Sequence, residues 1–205
     1  MLDEKMKLQE TEIAKVDTFK YLGSTVQSNG KCDKEVKKRV QAGWCGWRRI
    51  SGVMCDKRLS AKVKGKIFKT IVRPAMMYGL ETVPLAKRQV AEMEVAQLKM
   101  LRMSFGVTRM DRIKNDYIRG TAHVGRFEDK MREARLRWYG HVKRREEEYI
   151  GRRMLKMNLP GKRRRGRPSL RYMDVVSDDL KVIGGKEEDA KDRARWKELI
   201  RCGDP

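Results

Sequence analysis

Cysteine pairs, long apolar runs and a surplus of acid are all missing from this sequence. Its four cysteines, Cys32, Cys45, Cys55 and Cys202, form no Cys-x-x-Cys pair, and its two histidines, His123 and His141, stand at no zinc-finger spacing. No metal or other cofactor is therefore expected, and the thiols read as reduced cysteines of a cytosolic or nuclear protein. No stretch approaches the run of about 18 apolar residues that would span a membrane. The amino-terminal "MLDEKMKLQETE" lacks the charged-then-apolar order of a secretory signal. With 5 prolines and 17 glycines in 205 residues, the chain does not read as largely disordered.

Positive charge is what the sequence has in excess. Lysine and arginine number 50 against 28 acids, a net charge of +22. Residues 1–30 carry four lysines against five acids, so the whole excess lies after Gly30. Such a surface calls for a polyanion, and nucleic acid is the first candidate. An anionic membrane is second, because no basic amphipathic segment stands free of core-type residues. A hydrophobic fraction of 40% against 38% charged residues favours small helical units over one thick globule.

The hydrophobic period changes along the chain. Residues 5–27 read as β, with Phe19 and Tyr21 on one face, Lys20 and Leu22 on the other, and "SNG" as a turn. After Gly30, Val36, Val40, Trp44, Trp47 and Ile50 form a helical stripe with Asp33 as a plausible N-cap. A second helix is expected from Ser60, with Val63, Ile67, Ile71 and Ala75 inward and Pro74 late in it. A third runs from about Lys87 to Ser104, and a short one follows Asp111. A longer one spans about Arg126 to Glu147, its stripe Phe127, Met131, Ala134, Trp138 and Val142. Two more are expected at about Ser169 to Ile183 and Glu187 to Ile200. Between them "NLPGKRRRGRP" has no apolar period and reads as a linker. The fold class expected is mainly α, with a short amino-terminal antiparallel β element.

Several side chains invite a functional reading. Lys162, Arg163, Arg164, Arg165 and Arg167 crowd the linker, with Arg171 just beyond. Five phosphate contacts there would give a salt slope of about −4.5 on duplex DNA. General nucleic-acid contact, nuclear import, a minor-groove hook around Arg165-Gly166-Arg167-Pro168, and a solvated loop all remain open. Lys143, Arg144 and Arg145 read as phosphate contacts. Tyr139 is a candidate for base stacking, whereas Trp138, Trp44 and Trp47 read as core and His141 as a packed histidine. Met93, Met100, Met103 and Met110 supply adaptable filler. The adjacent acids Asp178 and Asp179 of "VVSDDL" superficially match a catalytic hairpin. Helical spacing turns them about 100° apart, so they read as a solvated face.

Four motifs in order carry a resemblance: "FKYLGSTVQSNGKCDKEVKKRVQAGW", "RPAMMYGLET", "RLRWYGHVKR" and "GKRRRGRPSLRYMD". Together they resemble the carboxy-terminal part of reverse transcriptases of non-LTR retrotransposons (long interspersed elements), over about Lys5 to Leu199. The resemblance implies a layout: a primer-grip hairpin in 1–30, a thumb-like helical bundle in 31–110, and a helical extension in 111–158. A basic linker at 159–168 and closing helices at 169–205 complete it. Phe19, Tyr21, Leu22 and Gly23 would match the primer grip. Lys34, Lys37, Lys38 and Arg39, interleaved with Val36 and Val40, would face phosphates from the thumb. Tyr172 stands where the family often has Trp, and its ring is expected to keep the packing role. The family's metal-binding carboxylates lie upstream of the matched segment, and only eighteen residues precede Phe19. The resemblance therefore implies a fragment that holds RNA, DNA or hybrid with little sequence preference and does not polymerise alone. A nuclear location is expected, with cytoplasm as the alternative. A free-standing nuclear binding module, or a protein-interaction fragment docking through the hairpin and first helix, are the other readings.

Overall fold

The computed structural model describes residues 7–8, 11–157 and 170–205, so the basic run at 162–167 lies outside the described residues. The architecture is mainly helical with a short antiparallel element in front, as the hydrophobic period predicts. Strand β1 (Lys7–Leu8) pairs antiparallel with β2 (Thr11–Glu12), and β3 (Thr18–Tyr21) with β4 (Ser24–Gln27). Leu22 and Gly23 form the turn between β3 and β4 with φ of 46° and 84°. Both positive angles suit the right-handed twist of a two-residue hairpin. Leu22 is thus a turn residue, not a member of the face opposite Phe19 and Tyr21. Asn29 and Gly30 then redirect the chain toward the first helix, Asn29 Oδ1 accepting from the Lys31 amide at 2.9 Å.

Helix α1 (Asp33–Arg49) follows, then the single turn α2 (Ser51–Met54). Asp33 does not cap α1; Cys32 holds that position without a side-chain bond. Instead the Asp33 carboxylate accepts from Arg88 at 2.8 Å and Gln89 at 3.0 Å, tying the start of α1 to the start of α5 (Lys87–Phe105). Ser60 does cap α3 (Ala61–Ile67), accepting from the Val63 amide. A π-helical turn at Phe68–Val72 leads into α4 (Arg73–Met77), whose Pro74 lacks the amide that an α-helical turn would need. The buried stripe here is Phe68, Val72, Met76 and Leu80, while Val63 and Ile71 face solvent. The sequence offers two stripes one residue apart. The one bearing phenylalanine and methionine buries more apolar area, and it goes inward.

Helices α6 (Asn115–Ala122) and α7 (Phe127–Lys143) come next. A seven-residue α8 (Ile150–Lys156), which the periodicity did not announce, precedes the undescribed segment. Then come α9 (Tyr172–Ile183), a 3-10 turn at Glu187–Lys191, and α10 (Arg193–Leu199), capped by Asp192.

Buried side chains group into two cores. The first joins Val36, Trp47, Met54, Phe68, Met76, Met93, Leu101 and Ile118 with Phe127 and Met131. The second joins Leu136 and Tyr139 with Val176, Leu180, Ala190, Trp196 and Ile200. Helix α7 contributes its first half to one core and its second half to the other. Trp196 lies against Gly140, where any Cβ would strike the indole, and donates to the Leu136 carbonyl at 3.0 Å.

The segment after α10 returns to the first core. Arg73 grips Asp204 with both terminal nitrogens, at 2.8 and 3.0 Å, and the Gly125 amide donates to the same carboxylate at 2.7 Å. Burial alone would raise the carboxyl pKa, but the Arg73 and Gly125 bonds hold it down to about 2. A depressed carboxyl stabilises the fold above its unfolded pKa near 4, and that stability is lost as pH falls through the folded value. We expect stability to drop by roughly 2 kcal/mol between pH 5 and pH 2 from this group. Asp204→Asn should flatten that part of an acid-unfolding curve followed by far-UV circular dichroism. An unaltered curve would show the contact contributes nothing.

Candidate nucleic-acid interface

Helix α1 presents two different faces. Inward it buries Val36, Gly43 and Trp47, and Trp47 donates to Ser104 of α5 at 3.2 Å. Outward, Lys34, Lys37, Gln41, Cys45 and Arg48 recur at three and four residues on one stripe, with Arg49 at its edge, all exposed. No acid stands within ion-pairing distance of Lys34, Lys37, Arg48 or Arg49 among the described residues. At 1.5 Å per residue, Lys34 and Arg48 lie about 21 Å apart along the axis, long enough to track several phosphates. Arg48 and Arg49 complete this face, and sequence reading missed them. Their spacing from Lys34 and Lys37 on one helix was the available signal.

Lys38 and Arg39 take another role. The Lys38 ammonium donates to the Gly23 carbonyl at 2.6 Å and approaches Thr25 Oγ1 at 3.3 Å. Arg39 is buried, bonded to Glu35 at 2.6 Å and to the Gly23 carbonyl at 2.9 Å, with its guanidinium 4.7 Å from the centre of the Tyr78 ring. Glu35 in turn accepts from the Thr25 amide at 2.6 Å. These groups fasten the β3–β4 hairpin to α1, because the turn's free carbonyls need donors and the helix supplies them. The expected phosphate contacts thus divide: Lys34 and Lys37 are free for one, whereas Lys38 and Arg39 are occupied.

The hairpin's other face is open. Phe19 pairs with Val26 across the strands, and Phe19, Tyr21, Leu22 and Val26 are each more than half exposed. Gly23 sits at the turn with φ 84°, within van der Waals reach of Tyr78 for any added Cβ. The Tyr78 hydroxyl donates to the Leu22 carbonyl at 3.2 Å.

At the end of α7, burial reverses the expectation for two aromatics. Tyr139 is fully buried, and Trp138 is half-buried against Tyr172, edge-on at 5.4 Å. Tyr139 therefore cannot stack on a base. Burial and the adjacent Glu187 carboxylate push its phenol well above the ordinary range. Tyr172 keeps the expected packing role, and its hydroxyl reaches the Arg135 carbonyl. His141 is exposed rather than packed inward. Lys143 pairs with Glu187 at 2.8 Å and Arg144 donates to the Ala190 carbonyl at 2.7 Å, so both join α7 to the 3-10 turn. Burial lowers the Arg144 pKa. Arg145 lies over the Tyr149 ring at 5.7 Å on the surface, and Arg171 is exposed. Lys162, Arg163, Arg164, Arg165 and Arg167 lie outside the described residues.

The acid pair lies on α9, as helical spacing requires. Asp178 faces solvent and pairs with Lys181, but Asp179 is buried, 2.6 Å from Arg135 Nε and 3.7 Å from Arg132 Nε. It is a structural anion and not part of a solvated face. Burial pushes its carboxyl upward against the pull of the two guanidinium groups. Trp47, Met93 and Met100 are core residues as read, whereas Met103 and Met110 are exposed. The four cysteines are all free. No helix among the described residues is long and apolar enough to cross a membrane.

No family model matches the sequence, and no solved structure matches it. The chain is 25% identical over 203 residues to an uncharacterized transposon-derived protein of Caenorhabditis elegans, an alignment covering 93% of this chain and 72% of that protein. Along nearly its whole length, then, this chain is similar to a protein of transposon origin.

Proposed function

We propose that this chain is the carboxy-terminal, thumb-like part of a retroelement RNA-directed DNA polymerase of the non-LTR type. It holds nucleic acid through phosphate contacts with little sequence preference and does not polymerise by itself. The observation that carries the binding reading is the outward face of α1, where Lys34, Lys37, Arg48 and Arg49 stand without acidic partners among the described residues. Cations in line along a rigid helix meet a charged backbone whatever the base order, which gives affinity without sequence readout. Arg145, Arg171 and the basic run at 162–167 extend the cationic surface in sequence, and that run also suits nuclear import.

Replacing Lys34, Lys37, Arg48 and Arg49 by Gln should weaken binding to every duplex alike. It should also flatten the slope of log affinity against log salt by about 3.6, four contacts at about 0.9 each. Fluorescence anisotropy at three salt concentrations reads this directly, and an unchanged slope sinks the assignment of α1. Primer extension on a poly(A) template with magnesium or manganese is expected to stay at background. Incorporation above it by the purified chain would overturn the non-catalytic part of the reading. An interaction fragment is the second reading, favoured by the open apolar face of Phe19, Tyr21, Leu22 and Val26.

A further inference from the structure

The Asp204 carboxylate occupies a slot built like an anion site. Arg73, only 7% exposed, offers it both terminal nitrogens, and its Nε is buried without a partner. The Gly125 amide supplies a third donor, and Lys130 Nζ stands 3.7 Å away. Glu133 pairs with Lys130 at 3.1 Å and accepts from the Cys202 amide. Gly125 has no Cβ, and one placed there would crowd Asp204 Oδ1 at 3.2 Å. Beside this slot runs a surface groove lined by Lys62, Val63, Lys66, Lys69, His123 and Pro205. Lys62 and Lys66 have no acidic partner among the described residues. The occupying segment lies across the slot with Arg201, Gly203 and Pro205 exposed. Beyond Asp204 it is held by few bonds, among them the Pro205 carbonyl at 2.8 Å from His123 Nδ1 and the Lys130 bond to the Cys202 carbonyl.

We propose that Asp204 stands in for a phosphate, and that Arg73, the Gly125 amide and Lys130 form a phosphodiester site held shut by the segment 202–205. A phosphodiester carries one negative charge on two non-bridging oxygens, the same charge and fork geometry that a carboxylate offers arginine. Lys62 and Lys66 along the groove then meet neighbouring phosphates of the same strand, whereas Lys69 is taken by the His123 carbonyl at 2.8 Å. A single carboxylate cannot follow a polyanion there, so the strand competes with Asp204 by number of contacts. The site gives this chain a second nucleic-acid surface, apart from the outward face of α1, and it rests on the binding reading above.

Thermal unfolding with inorganic pyrophosphate at constant ionic strength tests the slot without nucleic acid. Pyrophosphate should raise the midpoint of Asp204→Asn saturably, leave wild type unmoved, and lose its effect in Asp204→Asn/Arg73→Gln. For a single-stranded oligonucleotide, Asp204→Asn should bind about tenfold tighter at low salt. Its salt slope should be steeper by about 0.7. If Asp204→Asn does not fold, His123→Gly decides. It suits the left-handed backbone at φ 51° and frees the Pro205 carbonyl alone, and it should give a smaller gain in the same direction. Wild-type binding with neither gain nor pyrophosphate effect in the variants overturns the proposal and spares the α1 reading. A pyrophosphate effect without wild-type binding of nucleic acid does the reverse.

Discussion

Replacing Asp179 by alanine is expected to lower the unfolding midpoint by about 10 °C, from a loss of about 3 kcal/mol or more. Asp179 is the anion that holds Arg135, a residue only 4% exposed, at 2.6 Å. One terminal nitrogen of Arg135 is already buried without a partner. Removing the carboxylate leaves a full charge in a buried site, a far larger cost than losing one surface ion pair. The same logic predicts rescue. Asp179→Leu combined with Arg135→Met removes both charges and should recover most of the loss, because a well-packed apolar pair often equals a buried ion pair. Thermal unfolding of the two variants reads the rescue. An Asp179→Ala midpoint within about 2 °C of wild type, less than 1 kcal/mol at this chain length, would mean Arg135 is solvated in solution.

Gly65→Ala should cost about 3 kcal/mol, near the upper end of overpacking effects. A Cβ at Gly65 would fall far inside van der Waals contact with the Ala122 carbonyl oxygen and 2.8 Å from its carbonyl carbon. Both obstacles are backbone, so no side chain can swing away, and α3 must part from α6. The neighbouring Lys64 donates to the Ser104 carbonyl at 2.8 Å and Trp47 to the Ser104 hydroxyl, so displacing α3 strains the end of α5 as well. Gly46→Ala is the matched control. Nothing lies within 4 Å of a Cβ there, and the change should stabilise α1 by up to about 1 kcal/mol through helix propensity. Urea unfolding separates the two. Equal midpoints would show that α3 and α6 are not in contact in solution.

The helices were legible where apolar residues recur without competition. Val36 to Trp47 and Phe127 to Met131 are examples, and Ser60 marked its own helix through its hydroxyl. Elsewhere one pattern carried two meanings. The stripes at 63/67/71 and at 68/72/76 are both helical, and only the neighbouring helices chose between them. Helix α8 escaped notice because Ile150 and Met154 remain exposed and Leu155 alone packs on the second core, which makes no inward stripe. Tyr139 took the fully buried position expected of Trp138 because α7 changes partners midway, and a single period cannot encode two cores.

Charge shows the same division. By itself the sequence determined that this is a mainly helical, strongly basic chain suited to a polyanion, because composition and periodicity are additive properties of residues. The tertiary structure alone decided which cations are available. Lys34 and Lys37 face water, while Lys38, Arg39, Lys143 and Arg144 are taken by carbonyls and an acid distant in sequence. A charge is free or occupied according to what the folded chain places within a few ångströms of it, and that proximity is a property of the whole fold.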